Sequence, residues 1–251
     1  MKLHLKQIIR LLDNIFPPQC ASCHCLVSAP HTLCLKCWQG IEFITEPCCR
    51  VCGYPLEQDT VYCSDICRTK KLFLTKIKSA VIYNDVAASV IHHLKYQDKT
   101  ENAIILSNWM YAAGHDMAQQ TDLIIPVPLH KAKLLKRKYN QAAIIAKRFA
   151  QQAHKPCVFD ILTRRKDIMS QSRLSQHERI KNVKGAFYVV NREKIRNKTI
   201  LLIDDVVTTA ATINECAKVL LLGGATKVMS LTVARAKTRG TADFGHHTGL
   251  Y

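Results

Sequence analysis

The run Ile200-Leu201-Leu202-Ile203-Asp204-Asp205-Val206-Val207-Thr208-Thr209-Ala210-Ala211-Thr212 carries the clearest signal in the chain. Its unbroken apolar start predicts a parallel strand buried on both faces, over residues 199–206. A helix is predicted over 212–222, closed by Gly223-Gly224. In open α/β sheets ligands bind at the carboxyl ends of the strands, which is where two adjacent acids fall. Asp204 and Asp205 can accept hydrogen bonds from the vicinal hydroxyls of a ribose. The small residues Thr208, Thr209, Ala210, Ala211 and Thr212 expose backbone N–H groups at a helix N-terminus, which favours a phosphate. Together they point to a phosphoribosyl group. A plain helix N-cap accounts for one Asp and one Thr, but not for the whole set.

The same alternation extends outward. Strands are predicted at 77–83, 122–128, 158–162, 186–190 and 227–234, and helices at 86–95, 103–119 and 141–152. Strands alternating with helices imply a mainly parallel sheet with helices on both faces. With 251 residues, 48% of them hydrophobic, the chain can bury such a core and add a small module.

Ten of the twelve cysteines lie between Cys20 and Cys67, which puts a module boundary near residue 72 and a second domain at 73–251. Pro18-Gln19-Cys20-Ala21-Ser22-Cys23 is repeated 29 residues on as Pro47-Cys48-Cys49-Arg50-Val51-Cys52. In each copy ten residues lead to a second pair, Cys34 with Cys37 and Cys63 with Cys67. Two thiolates on a tight turn, joined to two more, make a tetrahedral Zn²⁺ site with no open position. One site is assigned to Cys20, Cys23, Cys34 and Cys37, and the other to Cys49, Cys52, Cys63 and Cys67. Crossed wiring between the repeats is the alternative. Cys25 and Cys48 fall outside the pattern. Residues 1–16 carry helical periodicity rather than a secretory leader, so a reducing compartment is expected and disulfides are not. The longest uncharged apolar stretch, residues 102–115, is shorter than the ~20 residues of a membrane span. A cytoplasmic protein is expected.

Net charge is +17. Residues 131–184 hold fifteen Lys and Arg, among them Lys133, Lys136, Arg137, Lys138, Arg164, Arg165, Lys166, Arg173, Arg179 and Lys181, against three acids. Residues 1–75 are nearly balanced. Such concentration suits an anionic partner, and the aromatic residues Tyr139, Phe149 and Phe159 among the charges suit single-stranded nucleic acid.

Several motifs resemble the ComF family of competence proteins. They are Phe16-Pro17-Pro18 before the paired cysteines, His93-Leu94-Lys95-Tyr96, Pro126-Val127-Pro128-Leu129-His130, Arg137-Lys138-Tyr139-Asn140-Gln141, a Gln171–Asn182 segment, and Gly185-Ala186-Phe187. The resemblance implies a type I phosphoribosyltransferase-like α/β domain behind a double zinc ribbon of residues 1–72. It makes Asp204 and Asp205 the ribose acids and 208–212 the 5′-phosphate loop. It places Arg137 and Lys138 near pyrophosphate, and makes 171–182 a cover over the site. Alanine at 210 and lysine at 138 stand where the family commonly has glycine.

The resemblance also implies a role in natural transformation. The protein would bind single-stranded DNA and 5-phosphoribosyl 1-pyrophosphate (PRPP), with Mg²⁺ accompanying the latter, beside other DNA-uptake proteins at the inner membrane. The alternatives are an active phosphoribosyltransferase on an unknown acceptor and a PRPP-sensing scaffold. No residue stands out in the sequence as a general base.

Overall fold

The computed structural model describes residues 17–56, 61–63, 72–97, 99–130, 134–135, 137–165 and 183–236. The expected helix at 1–16, Cys67, Lys133, Lys136, Lys166, Arg173, Arg179, Lys181, most of the 171–182 segment's neighbourhood with the segment itself, and the tail beyond 236 lie outside the described residues.

Four strands form a parallel sheet in the order β1 (Lys76–Ile82), β6 (Lys227–Arg235), β5 (Thr199–Val207), β2 (Leu123–Pro126). Helices α2 (Asp85–Tyr96), α3 (Asn102–Gln119) and α4 (Gln141–Ala153) cover one face, and α5 (Ala211–Leu222) the other. The apolar run in β5 divides between two cores. Leu201 and Ile203 pack with Ile91, Leu106 and Phe149. Ile200 and Leu202 pack with Ile195, Ile213 and Leu220. A strand buried on both faces has no use for alternation, which is why the run reads as continuous.

One expected strand is displaced. Instead of a strand at 158–162, only Cys157 bridges to Ile124 on the main sheet. The chain then bends, and β3 (Leu162–Arg164) pairs antiparallel with β4 (Phe187–Val189) in a sheet of its own. The reason lies in burial. Ile161 and Leu162 are neighbours yet both sit in the α5-side core, which a regular strand on the main sheet could not achieve.

The cysteine-rich segment is sewn to the sheet. Among its described residues is one short helix, α1 (Leu35–Gln39). Phe43 bridges antiparallel to Val81, with Ile44 N–H on the Ala80 carbonyl and Ile82 N–H on the Glu42 carbonyl, both at 2.9 Å. Ala21 and Ile41 are buried in the same core as α2 and α3. The Ala21 carbonyl accepts from His93 Nδ1 (3.1 Å) and Asn102 Nδ2 (3.3 Å), and that of Ser22 accepts from Ser89 Oγ (3.0 Å). On the other repeat, Gly53 has φ +69° and passes so close to β1 that a Cβ would stand 2.5 Å from the Ile77 carbonyl oxygen.

Candidate functional site

The acid pair lies at the carboxyl end of β5, in the middle of the sheet. Asp205 Oδ2 is 2.7 Å from Lys95 Nζ, in the last turn of α2, and both side chains are less than one-fifth exposed. Asp204 Oδ1 accepts the Asp205 N–H at 2.9 Å. Burial, then the Asp205 charge, push the Asp204 carboxyl up to about 7, although Lys95 and Arg164 pull the other way.

Three further elements converge on this edge. Asn140 caps α4 by accepting the Ala142 N–H, while its amide donates to the Val127 carbonyl just after β2 (2.9 Å). The Tyr139 hydroxyl donates to the Leu94 carbonyl at 2.6 Å, tying this turn to the end of α2. Arg137 is held by the Tyr96 hydroxyl (2.6 Å) and Gln141 Oε1 (3.1 Å), and its guanidinium lies 4.8 Å from the Tyr96 ring centroid. Arg137 also acts electrostatically on Lys95.

On the other side of the acids, α5 starts from Ala210 at φ +61°, a left-handed residue with no side-chain cap. Ala211 N–H donates to Thr209 Oγ1 at 3.4 Å. The position requires positive φ, which glycine adopts freely and alanine does not. Lys138, the other departure from glycine, has φ +65°.

Asp204, Asp205, Thr208–Thr212, Arg137 and Arg164 thus gather at one sheet edge. The neighbouring Arg165 does not join them. It is exposed, its guanidinium 4.6 Å from the Tyr188 ring centroid, whereas Arg164 packs over Phe187 and acts on Asp204. Lys95 and Tyr96 were not assigned a role from the sequence. Their only signal was the His93-Leu94-Lys95-Tyr96 motif.

The cysteines group within each repeat. The sulfurs of Cys20, Cys23, Cys34 and Cys37 lie within 4.8 Å of one another, as do those of Cys49, Cys52 and Cys63. The Cys23–Cys34 and Cys52–Cys63 sulfur distances are 3.7 and 3.6 Å. A tetrahedron with Zn–S bonds of about 2.3 Å has edges of about 3.8 Å, so the sets fit Zn²⁺. The Cys34 N–H points to Cys20 Sγ at 3.3 Å, as an amide does to a metal-bound thiolate. Among the described residues the grouping is sequential, not crossed, and Cys25 and Cys48 stand outside both groups. The acid pair is a poor fit for Mg²⁺, because Lys95 already occupies Oδ2 of Asp205.

Residues 11–67 match the family described as Double zinc ribbon domain, and residues 140–246 match Phosphoribosyl transferase domain. Competence protein F of Haemophilus influenzae is 29% identical over 230 residues, covering 89% of this chain and 99% of that protein. Competence protein ComFC of Bacillus subtilis is 27% identical over 219 residues, 84% of this chain and 87% of that one. The chain is a ComF-like protein. A third relative, DNA utilization protein YhgH of Escherichia coli K12, is 27% identical over 192 residues, 74% of this ComF-like chain and 83% of its own length. Among the described residues no helix of the ComF-like protein is long and apolar enough to cross a membrane.

Proposed function

We propose that this ComF-like protein handles incoming single-stranded DNA during natural transformation, in the cytoplasm beside other DNA-uptake proteins, and that its sheet domain also binds PRPP. Competence and DNA utilization in the relatives' names support the first half. The observation that carries the ligand half is the convergence at one sheet edge. Two acids meet a small-residue loop opening α5, with Lys95, Arg137 and Arg164 around them. Asp204 and Asp205 would take the ribose hydroxyls, residues 208–212 the 5′-phosphate, and Arg137 and Lys138 the pyrophosphate.

DNA binding rests on the charge of residues 131–184, of which Arg137, Lys138, Arg164 and Arg165 are described. Guanidiniums on aromatic faces at Tyr96, Phe187 and Tyr188 offer flat cationic surfaces for phosphates and bases. Two Zn²⁺, one per repeat, would hold the ribbons in shape without taking part in chemistry.

A transferase is the second reading. Asp204, brought near neutrality by burial, is a group able to exchange a proton at physiological pH. The test is a titration of fluorescent single-stranded DNA with and without PRPP. Salt-dependent binding supports the DNA half, and its absence at low ionic strength defeats it. Thermal stabilisation by PRPP supports the ligand half.

A further inference from the structure

Two adjacent carboxylates at the end of one strand repel each other, and a positive charge close to them offsets that repulsion. The protein supplies that charge itself. Lys95 Nζ lies 2.7 Å from Asp205 Oδ2, with side chains 18% and 17% exposed. An ion pair so far removed from water is much less screened than one on the surface.

Lys95 is also placed firmly. It stands in the last turn of α2, where the helix dipole favours a cation. The preceding carbonyl, of Leu94, is fixed by the Tyr139 hydroxyl, and His93 is fixed to the Ala21 carbonyl of the first cysteine turn. Burial lowers the ammonium's affinity for its proton, but the charge and hydrogen bond of Asp205 together with the Asp204 charge hold Lys95 above the usual lysine range. It is therefore a positioned, permanent cation.

The order of groups along the edge then matters. The loop at 208–212 lies on one side of the acids, and Lys95 with Arg137 on the other. A ribose whose hydroxyls met the acids and whose 5′-phosphate met the loop would have its C1 substituent on the side of these two cations. An ammonium has three N–H groups and the contact with Asp205 engages one. Two cations side by side suit a substituent of high negative charge.

We propose that Lys95 is a ligand-binding residue that grips the anionic group on ribose C1 while balancing Asp205, so that pyrophosphorylated ribose binds without a divalent cation on the acid pair. This rests on the phosphoribosyl reading of the site. It adds that the site selects PRPP over ribose 5-phosphate, and that Lys95 does so.

The test is thermal stabilisation of the full chain in buffer free of Mg²⁺. No chelator is used, since it would also strip zinc. The probes are PRPP, ribose 5-phosphate and inorganic pyrophosphate. Wild-type protein should bind PRPP without Mg²⁺. Lys95→Met should bind PRPP about tenfold more weakly or worse, from loss of a charged hydrogen bond. Its affinity for ribose 5-phosphate should change less than twofold, and Lys95→Arg should keep most of the PRPP response. If Lys95→Met does not fold, Lys95→Gln retains a donor toward Asp205, and the ratio of PRPP to ribose 5-phosphate affinity is read there. The inference is overturned if wild-type protein needs Mg²⁺ to bind PRPP. It is equally overturned if the folded variant keeps the wild-type ratio of the two affinities. If none of the compounds stabilises wild-type protein, the phosphoribosyl reading itself falls and takes this inference with it.

Discussion

Arg235, the last residue of β6, donates from Nη1 to the Cys52 carbonyl at 3.0 Å, across 183 residues of sequence. Arg235 is only 4% exposed, and Cys52 belongs to the second cysteine group. A buried guanidinium thus depends on a turn that metal would hold. Together with the Phe43–Val81 bridge and the Ala21 contacts, this makes the ribbons part of the sheet's packing. Elemental analysis of protein purified without added metal should find about two Zn²⁺ per chain. Removing zinc should lower the melting temperature of the whole chain in one transition, because binding energy at such sites is folding energy. Zinc-free protein with an unchanged melting curve would contradict this.

Ala210 and Lys138 both hold positive φ, at +61° and +65°. A left-handed L-residue costs about 1–2 kcal/mol, and glycine's extra unfolded-state entropy returns about 0.5–1 kcal/mol of that. Ala210→Gly should therefore stabilise the protein by about 0.5–1 kcal/mol in urea unfolding. Ala143→Gly, inside α4, should destabilise it by about 1 kcal/mol. The same sign at both positions would refute the account of residue 210.

Asp204 gives a signed pH effect. Its carboxyl rises from 3.8 to about 7 on folding, chiefly through burial. Between these values the folded state keeps a proton that the unfolded chain releases, so this group's contribution to stability falls as pH rises through the window. Asp204→Asn, uncharged at every pH, escapes that loss. The melting temperature of the variant minus that of wild type should grow from pH 4 to pH 8. A flat difference would show that Asp204 ionises normally.

Much of the sheet was legible because β5 is buried on both faces and ends in acids, a pattern that needs no tertiary knowledge. The pairing of cysteines within each repeat was legible from spacing, which left crossed wiring open, and Cys67 lies outside the described residues. Lys95 was not legible, since its partner is reached through the fold from a helix far upstream, and a lysine in a helical last turn looks like any solvated one. The 158–162 strand misled because its apolar residues read as a strand, and nothing local shows that Ile161 and Leu162 are buried in the same core. Composition likewise counted Arg164 and Arg165 as one basic patch, and they part where β3 ends at Arg164.

That separation yields the sharpest test of the two binding functions. Arg164 is the last residue of β3 and Arg165 the first beyond it. Arg164 acts on Asp204, while Arg165 is exposed over Tyr188. Phosphate contacts release counterions, so log K for single-stranded DNA should fall with log[salt] by about 0.7 per contacted phosphate. Arg165→Ala should weaken DNA binding regardless of sequence and flatten that slope by about 0.7, with PRPP stabilisation unchanged. Arg164→Ala should instead reduce PRPP stabilisation, because it removes a positive charge beside the acid pair. Should Arg165→Ala leave the salt slope as it was, the DNA lies elsewhere on the protein. Should both variants lose PRPP alone, the basic residues of this sheet serve the phosphoribosyl ligand, and the transferase reading becomes the stronger one.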